Sequence, residues 1–334
     1  MIMSPHLSVI IPTYRRRASV ERALQALARQ TMPPANYEVI VSIDGSEDGT
    51  REMVAQFPAP YRLRGLWQPN QGRAAACNAG IHIAAGEVLV LLDDDMEPAP
   101  GCLASHAHAH PDGSRYGVMG AVPIRFDEAM PPLVAYIGTK FNQHLEKLAL
   151  PDHQFTLRDF YSGNFSIRRE ALLEVGGFDE SFKVYGNEDL ELSLRLVRAG
   201  VTLVYNAEAL AHQHYSKDFT ALAHDTIAEG RTAILLASKH PEAFRDLQLS
   251  TYARGSRQWR LLRTGLLWLG WLWPGTSGGV IRFITWLEKR RPSQLPLYYR
   301  YALDYCYWLG AQAALRTNRH FGRGLTSLTG RVEL

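Results

Sequence analysis

A chain of 334 residues is long enough for one large α/β domain with an appendage, and its 46% hydrophobic and 21% charged content excludes a disordered polypeptide. The three cysteines, Cys77, Cys102 and Cys306, are odd in number and far apart, which argues against a disulfide framework and against a zinc site. The net charge of +3 conceals an asymmetry: residues 254–334 hold 13 Lys and Arg against 3 Asp and Glu, a balance of +10, and residues 1–253 therefore carry −7.

Residues 1–6 carry no basic n-region or long apolar core, so no signal peptide is read and a reducing, cytoplasmic compartment is expected. Residues 7–11 read as a strand broken by Pro12. Residues 19–30 place Val20, Ala23, Leu24 and Leu27 at helical spacing. A strand over 38–43 ends at Asp44-Gly45-Ser46, and Asp48 is positioned to cap a helix running to about residue 57. A short strand over 62–67 and a helix over 73–85 follow. The apolar run Val88-Leu-Val-Leu-Leu92 then reads as a buried central strand closing in Asp93-Asp94-Asp95. Strand-helix repetition of this kind predicts a doubly wound, mostly parallel sheet flanked by helices.

In such a sheet the carboxyl ends of the strands share one edge, where ligands bind. Three crowded carboxylates there repel one another, and Mn²⁺ or Mg²⁺ offsets that repulsion. An acid at the end of the second strand, Asp44, suits a base N–H or a ribose hydroxyl, although an Asx-turn before glycine is the plain structural alternative. Neither a Gly-rich pyrophosphate fingerprint nor a Walker A sequence is present, so a bound diphosphate would be neutralised by metal.

Leu7-Ser-Val-Ile-Ile-Pro-Thr-Tyr14, Val39-Ile-Val-Ser-Ile-Asp-Gly-Ser-Glu-Asp-Gly-Thr50, Asn70-Gln-Gly-Arg73, Asn78-Ala-Gly80 and Ala85-Gly-Glu-Val-Leu-Val-Leu-Leu-Asp-Asp-Asp95 together resemble the family 2 glycosyltransferases of GT-A fold. The resemblance continues through Ser162-Gly-Asn-Phe-Ser-Ile-Arg-Arg169, Val175-Gly-Gly-Phe-Asp-Glu180 and Gly186-Asn-Glu-Asp-Leu-Glu-Leu192, with Arg195 and Gly200, and covers roughly 6–215. It implies a nucleotide-diphospho-sugar donor (a UDP-sugar favoured, a GDP- or dTDP-sugar the alternatives), a divalent metal and inverting transfer to a glycan or lipid-linked acceptor. The donor site it implies comprises Pro12, Thr13, Tyr14, Arg15, Asp44, Gly72, Arg73, Asn78, Asp93, Asp94, Gly163 and Asn164. Asp95 is implied as the direct metal ligand with Asp93 nearer the ribose, and a histidine, His212, as a further metal or diphosphate contact. Asp189, within the Glu188-Asp189 pair, matches the catalytic base. Two departures, Ile43 in place of a second acid and Cys77 in place of an arginine, bear on donor preference.

The chemistry asks for these residue types independently. Expelling a nucleoside diphosphate builds charge that a cation stabilises, and the attacking hydroxyl must lose its proton to one positioned carboxylate. The loop Tyr185-Gly186-Asn187 followed by helical periodicity places Asp189 at a helix N-terminus, where it is expected to stay ionised or simply to cap. Glu191 and Arg195 are spaced as an i, i+4 ion pair. His212 and His214 alternate on an extended stretch. His106, His108 and His110 have no nearby acid or cysteine and read as a solvated surface.

Six of the seven tryptophans lie beyond residue 258, and the composition shift predicts a boundary dividing a catalytic domain, 1–215, from a helical region, 216–334. Arg254, Arg257, Arg260 and Arg263 recur every third residue as a basic stripe, beside an apolar run over 266–273 too short to span a bilayer. Trp and Arg together predict peripheral membrane contact through 254–290, at the inner face of the cell membrane, or else a Trp-rich acceptor-binding subdomain. Nucleic acid is not expected, since no known module is present. Two other classes compete with the transferase. A sugar nucleotidyltransferase would need a glycine-bearing triphosphate loop that Pro12-Thr-Tyr-Arg-Arg-Arg17 lacks. A non-catalytic carbohydrate- or lipid-binding protein would not need complete metal and base motifs.

Overall fold

The computed structural model describes residues 6–126, 130–273 and 275–317. The elements are β1 Leu7–Thr13, α1 Arg17–Leu27, β2 Tyr37–Asp44, α2 Thr50–Gln56, β3 Arg62–Gln68, α3 Arg73–Ile83, β4 Val88–Leu92, β5 Met96–Pro98 and α4 Cys102–His108. They continue as β6 Tyr116–Gly120, α5 Pro132–Leu148, β7 Asn164–Arg168, α6 Arg169–Glu174, α7 Glu188–Arg198, β8 Thr202–Asn206 and β9 Ala211–Gln213. Four further helices follow: α8 Phe219–Lys239, α9 Arg257–Leu272, α10 Thr276–Arg290 and α11 Leu295–Thr317. The described residues fall into two compact units, one of 6–126, 138–183 and 188–215, the other of 130–137, 184–187 and 216–317.

The first unit is built on a seven-stranded sheet of order β3-β2-β1-β4-β7-β6-β8. β1 to β4 are mutually parallel, whereas β7 runs antiparallel to both β4 and β6. Alternate side chains of the central strands enter two cores. Val9, Ile11, Val39, Val41 and Val90 pack with Leu24 and Leu27 of α1; Ile10, Ile40, Leu89 and Leu91 pack with Ile81 of α3 and Leu192 and Leu196 of α7. Each such side chain contributes roughly 1.5–3 kcal/mol by leaving water. α3 lies close to the sheet because residue 80 is glycine: a Cβ there would stand 2.5 Å from the Ile10 Cγ2.

The first strand continues through Pro12 instead of breaking there. Its pairing with β4 ends at Ile10, so the missing N–H of Pro12 removes no bond on that side. The histidines in and just after α4 also differ from expectation. Only His108 is exposed, while His106 and His110 are buried against β7 with ring nitrogens 2.7 and 2.8 Å from the Ser166 hydroxyl. His106 also meets the Asn164 Oδ1 at 2.9 Å. Burial pushes both rings down to about 4, so they serve as neutral hydrogen-bonding groups. His106 lies on the inward face of α4 and His110 just beyond its end, and both turn toward β7.

The second unit is helical. α8 and α11 approach so closely that a Cβ at Gly310 would collide with the Ile227 carbonyl, and one at Gly230 with the Tyr307 carbonyl. The predicted basic stripe is incomplete. Arg254, Arg257 and Arg260 are exposed, but Arg263 is buried (2%), 2.9 Å from the Asp304 carboxylate and stacked against Tyr252 and Trp308. A three-residue period drifts around a helix, and the fourth arginine turns into the core. No helix among the described residues is long and apolar enough to cross a membrane. Gly310→Ala should lower the unfolding free energy by about 1–3 kcal/mol through overpacking against backbone. Gly278→Ala on α10, where a Cβ meets nothing within 4 Å, should be neutral or stabilising. Chemical denaturation of both variants checks this pair.

Candidate functional site

The carboxyl ends of β1, β2 and β4 meet at one edge of the first unit, and each delivers a polar side chain. Thr13 ends β1 and its hydroxyl donates to the Asp94 Oδ2 at 2.7 Å. Pro12 is buried beside it, whereas Tyr14 is 44% exposed. Arg15 adopts φ 55°, with its guanidinium 5.1 Å from the Tyr14 ring centre. The Arg15 N–H donates to the Ser46 hydroxyl at 2.7 Å, tying the loops after β1 and β2 together.

Asp44 ends β2 and is buried; its carboxylate accepts from the Gln68 side chain (2.8 Å) and the backbone N–H groups of Gln71 and Gly72 (both 2.9 Å). It therefore shapes the turn leading into α3. Gly72 has φ 95° and a Cβ there would crowd the Lys183 carbonyl, so only glycine passes this point. Arg73 follows as the first residue of α3.

Asp93, Asp94 and Asp95 form the turn between β4 and β5. The Asp93 N–H donates to the Gly163 carbonyl at 2.9 Å, and a Cβ at Gly163 would stand 2.6 Å from the Asp93 Oδ2. Gly163 thus admits the carboxylate. Arg16 reaches the cluster from the β1 side, 3.4 Å from Asp94 and 3.6 Å from Asp95. Burial pushes Asp94 up to about 7; Arg16 and Thr13 oppose the shift, and Asp95 and Asp93 add to it. Arg16 is a site residue that sequence reasoning passed over, because the run Arg15-Arg16-Arg17 does not reveal which guanidinium turns inward.

Arg73 joins this turn to the start of α7. Its guanidinium donates to the Asp93 Oδ1 at 2.7 Å and lies 3.6 Å from the Glu188 Oε1. Burial alone would depress its pKa, but the facing Asp93 and Glu188 help hold it well above the ordinary value. Asp189 is next in the chain and accepts from its neighbour's N–H (Leu190, 2.8 Å). The carboxylate ionises less readily than a helix N-terminus alone would lead one to expect. Burial, with the Glu188 charge beside it, pushes Asp189 up to about 7, outweighing Arg73 and the hydrogen bond. One turn further on, the Glu191–Arg195 pair forms as expected, at 2.8 and 2.9 Å from the Arg195 Nε.

Two residues of the predicted donor set are committed elsewhere. The Asn78 amide donates to the Phe178 carbonyl and to Glu180 (both 2.9 Å) and accepts from the Phe178 N–H (2.8 Å), which fixes the turn at 176–180 on α3. Asn164, fully buried, links His106 to the Ala209 carbonyl. The two C-terminal histidines separate. The His214 ring bonds the Glu97 carboxylate at 2.6 Å, and the His214 backbone N–H donates to the Asp95 carbonyl at 2.9 Å. The His212 Nδ1 is buried with no hydrogen-bond partner among the described residues, and burial lowers the ring's pKa.

Among the described residues, no three His, Cys, Asp or Glu side chains are placed to hold a metal by protein atoms alone. The donor set nevertheless suits a hard cation that takes part of its shell from phosphate oxygens, because such ions are bound through one or two carboxylates plus substrate. Asp93 and Asp95 are the carboxylates that would supply those bonds, Asp94 is held beside them by Thr13 and Arg16, and the buried His212 Nδ1 has no partner among the described residues.

The family profile described as Glycosyl transferase family 2 matches residues 8–176, about half of the chain, and one described as Glycosyltransferase like family 2 matches 141–229. The validoxylamine A glucosyltransferase of Streptomyces hygroscopicus subsp. limoneus is 34% identical over 61% of this chain and 51% of its own length. A GalNAc(5)-diNAcBac-PP-undecaprenol beta-1,3-glucosyltransferase of Campylobacter jejuni is 30% identical over 55% and 57%. The chain thus spans little more than half the length of these curated relatives. A solved mannosyltransferase from Pyrobaculum calidifontis, in complex with GDP-Man and Mn²⁺, aligns with a TM-score of 0.56 over 92% of this chain and 88% of that one, at 21% identity, a likeness of GT-A-type fold. The matched segment is the one that builds the acidic sheet edge, and the chain belongs to glycosyltransferase family 2.

Proposed function

We propose that the chain is an inverting glycosyltransferase that moves a sugar from a nucleotide-diphospho-sugar to an acceptor hydroxyl by metal-assisted single displacement, with Asp189 as base. The observation that carries this reading is the Arg73 bridge, which brings the Asp93 turn and the Glu188-Asp189 helix start within reach of one guanidinium. Family membership and the GDP-Man complex of the Pyrobaculum calidifontis neighbour support the donor class.

Tyr14 and Arg15, exposed beside the sheet edge, are suited to a nucleobase, and Asp44 to holding the turn that faces it. Asp95 and Asp93 would hold Mn²⁺ or Mg²⁺, which when bound supplies positive charge to the leaving diphosphate. Arg73 orients Asp93 and adds a fixed cation next to the site of charge development. Burial, with Glu188 beside it, raises the basicity of Asp189, which suits removal of a hydroxyl proton near neutral pH. The acceptor is proposed to be a glycan or a lipid-linked saccharide, the latter in keeping with the name of the Campylobacter jejuni relative. The helical region, 216–334, is proposed to serve acceptor or membrane. Exposed Arg254, Arg257 and Arg260 and exposed Trp268, Trp271 and Trp273 support peripheral contact with an anionic lipid surface.

Asp189→Asn should retain calorimetric binding of the sugar nucleotide yet lose transfer roughly 10²–10⁴-fold; undiminished transfer removes Asp189 as base. The base works only when deprotonated, so kcat/KM should rise with pH through about 7. An acid limb near the ordinary carboxylate value contradicts this. Asp95→Asn, or excess chelator on the unaltered enzyme, should lower turnover by orders of magnitude while circular dichroism stays unchanged. Proton NMR of the product should show the inverted anomer.

A further inference from the structure

The second unit contains a pocket that the catalytic reading leaves unused. It lies among α9, α10 and α11, has a volume of about 710 Å³, and is lined by Trp259, Leu266, Val280, Phe283, Tyr301 and Tyr305 among others. Such a volume falls in the range of real ligand sites. Its walls are aliphatic and aromatic, so the group they fit is a hydrocarbon. Polar groups interrupt them at Ser256, Gln258 and Thr276 near the helix starts and at one deeply buried tyrosine. Tyr305 is fully buried, and its hydroxyl has no hydrogen-bond partner among the described residues. A buried donor left unsatisfied is costly, and a ligand oxygen would satisfy it.

The surroundings say what kind of molecule carries that chain. On α9, its C-terminal cap and α10, Leu261, Leu262, Trp268, Trp271, Trp273, Phe283 and Trp286 are all 46–74% exposed, a concentration of exposed apolar side chains that marks an interaction surface. Cations accompany the rings: the Arg290 guanidinium lies 4.0 Å from the Trp286 ring centre and that of Arg316 5.3 Å from Trp271. Residues 254–334 carry the +10 balance noted above, so the matching headgroup is anionic. Aromatic rings and arginines arranged together are the signature of a membrane interface.

We propose that this pocket takes the hydrocarbon chain of an anionic membrane amphiphile, with the headgroup among the cations and a ligand oxygen on Tyr305. The inference deepens the membrane-contact reading and rests on it: the C-terminal helices hold lipid by a seated chain in addition to surface contact. Gly279 provides the means of testing it. It lines the pocket on α10, and a Cβ there meets nothing within 4 Å, so a large side chain fills the cavity without disturbing the packing.

The probes are dodecyl phosphate and octyl phosphate below their micelle concentrations, and inorganic phosphate, each titrated by calorimetry into the 334-residue chain. Each methylene buried is worth roughly a fourfold gain in affinity, so dodecyl phosphate should bind at least about tenfold more tightly than octyl phosphate, and inorganic phosphate not measurably. Gly279→Phe should weaken dodecyl phosphate at least about tenfold, while Gly279→Ala should bind as wild type and both should retain sugar-nucleotide binding. Equal affinity in Gly279→Phe, or no dependence on chain length, overturns the proposal. Co-sedimentation with phosphatidylglycerol vesicles separates the two readings. If wild type and Gly279→Phe pellet equally and dodecyl phosphate does not bind, surface contact stands and the pocket falls. If dodecyl phosphate binds the pocket while vesicles pellet nothing, the pocket stands and the membrane contact falls. Self-association of wild type that Gly279→Phe abolishes, without amphiphile binding, would make the pocket an interface between copies and also overturn the proposal.

Discussion

The guanidinium of Arg73 lies between two acidic segments that are almost a hundred residues apart in sequence, and most of the site's geometry follows from that placement. On one side is Asp93, at the end of the central strand β4; on the other is Glu188, at the start of α7. Glu188 is buried and would be costly to keep ionised without a cation, whereas Asp93 stays partly exposed. Arginine suits the position because its planar fork has donors for both. Its own place is fixed by the turn that Asp44 holds with backbone hydrogen bonds, so an acid at the end of β2 acts on the site through the backbone before it meets any ligand.

Close approach at the same edge depends on glycines with distinct jobs. Gly163 leaves room for the Asp93 carboxylate, Gly72 supplies a left-handed turn under the Lys183 carbonyl, and Gly80 lets α3 lie against β1 and β2. The charge is then concentrated in a small volume, and the pKa values record it. Asp94 and Asp189 are both raised to about 7, each by burial first and neighbouring carboxylates afterwards. Pairs of displaced acids of this kind cost stability and are found where chemistry uses them.

Much of this was legible in the sequence, for physical reasons. The strands β1, β2 and β4 announce themselves as Val/Ile/Leu runs because both faces of a parallel sheet are buried, and the acids at their ends followed from the edge rule. Direction of side chains was not legible. Asn78 and Asn164 read as donor contacts, yet their amides fasten loops whose partners lie up to a hundred residues away. His106 and His110 looked like surface because nothing in the sequence foretells the Ser166 hydroxyl that receives them. Arg16 was hidden in a run of three arginines, and Arg263 in a basic stripe whose fourth member meets Asp304. In each case the missing information is a long-range contact, which local periodicity does not encode.

The central proposal is that burial, tuned by Glu188 and Arg73, sets the protonation of Asp189, the carboxylate proposed as base. Carboxyl-carbon NMR titration of Asp189, assigned by its loss in Asp189→Asn, measures this directly in wild type and in Arg73→Gln. The account predicts a midpoint near 7 in wild type and a higher one once the guanidinium that favours ionisation is removed. A midpoint in the ordinary carboxylate range, or one that does not move in Arg73→Gln, would contradict it.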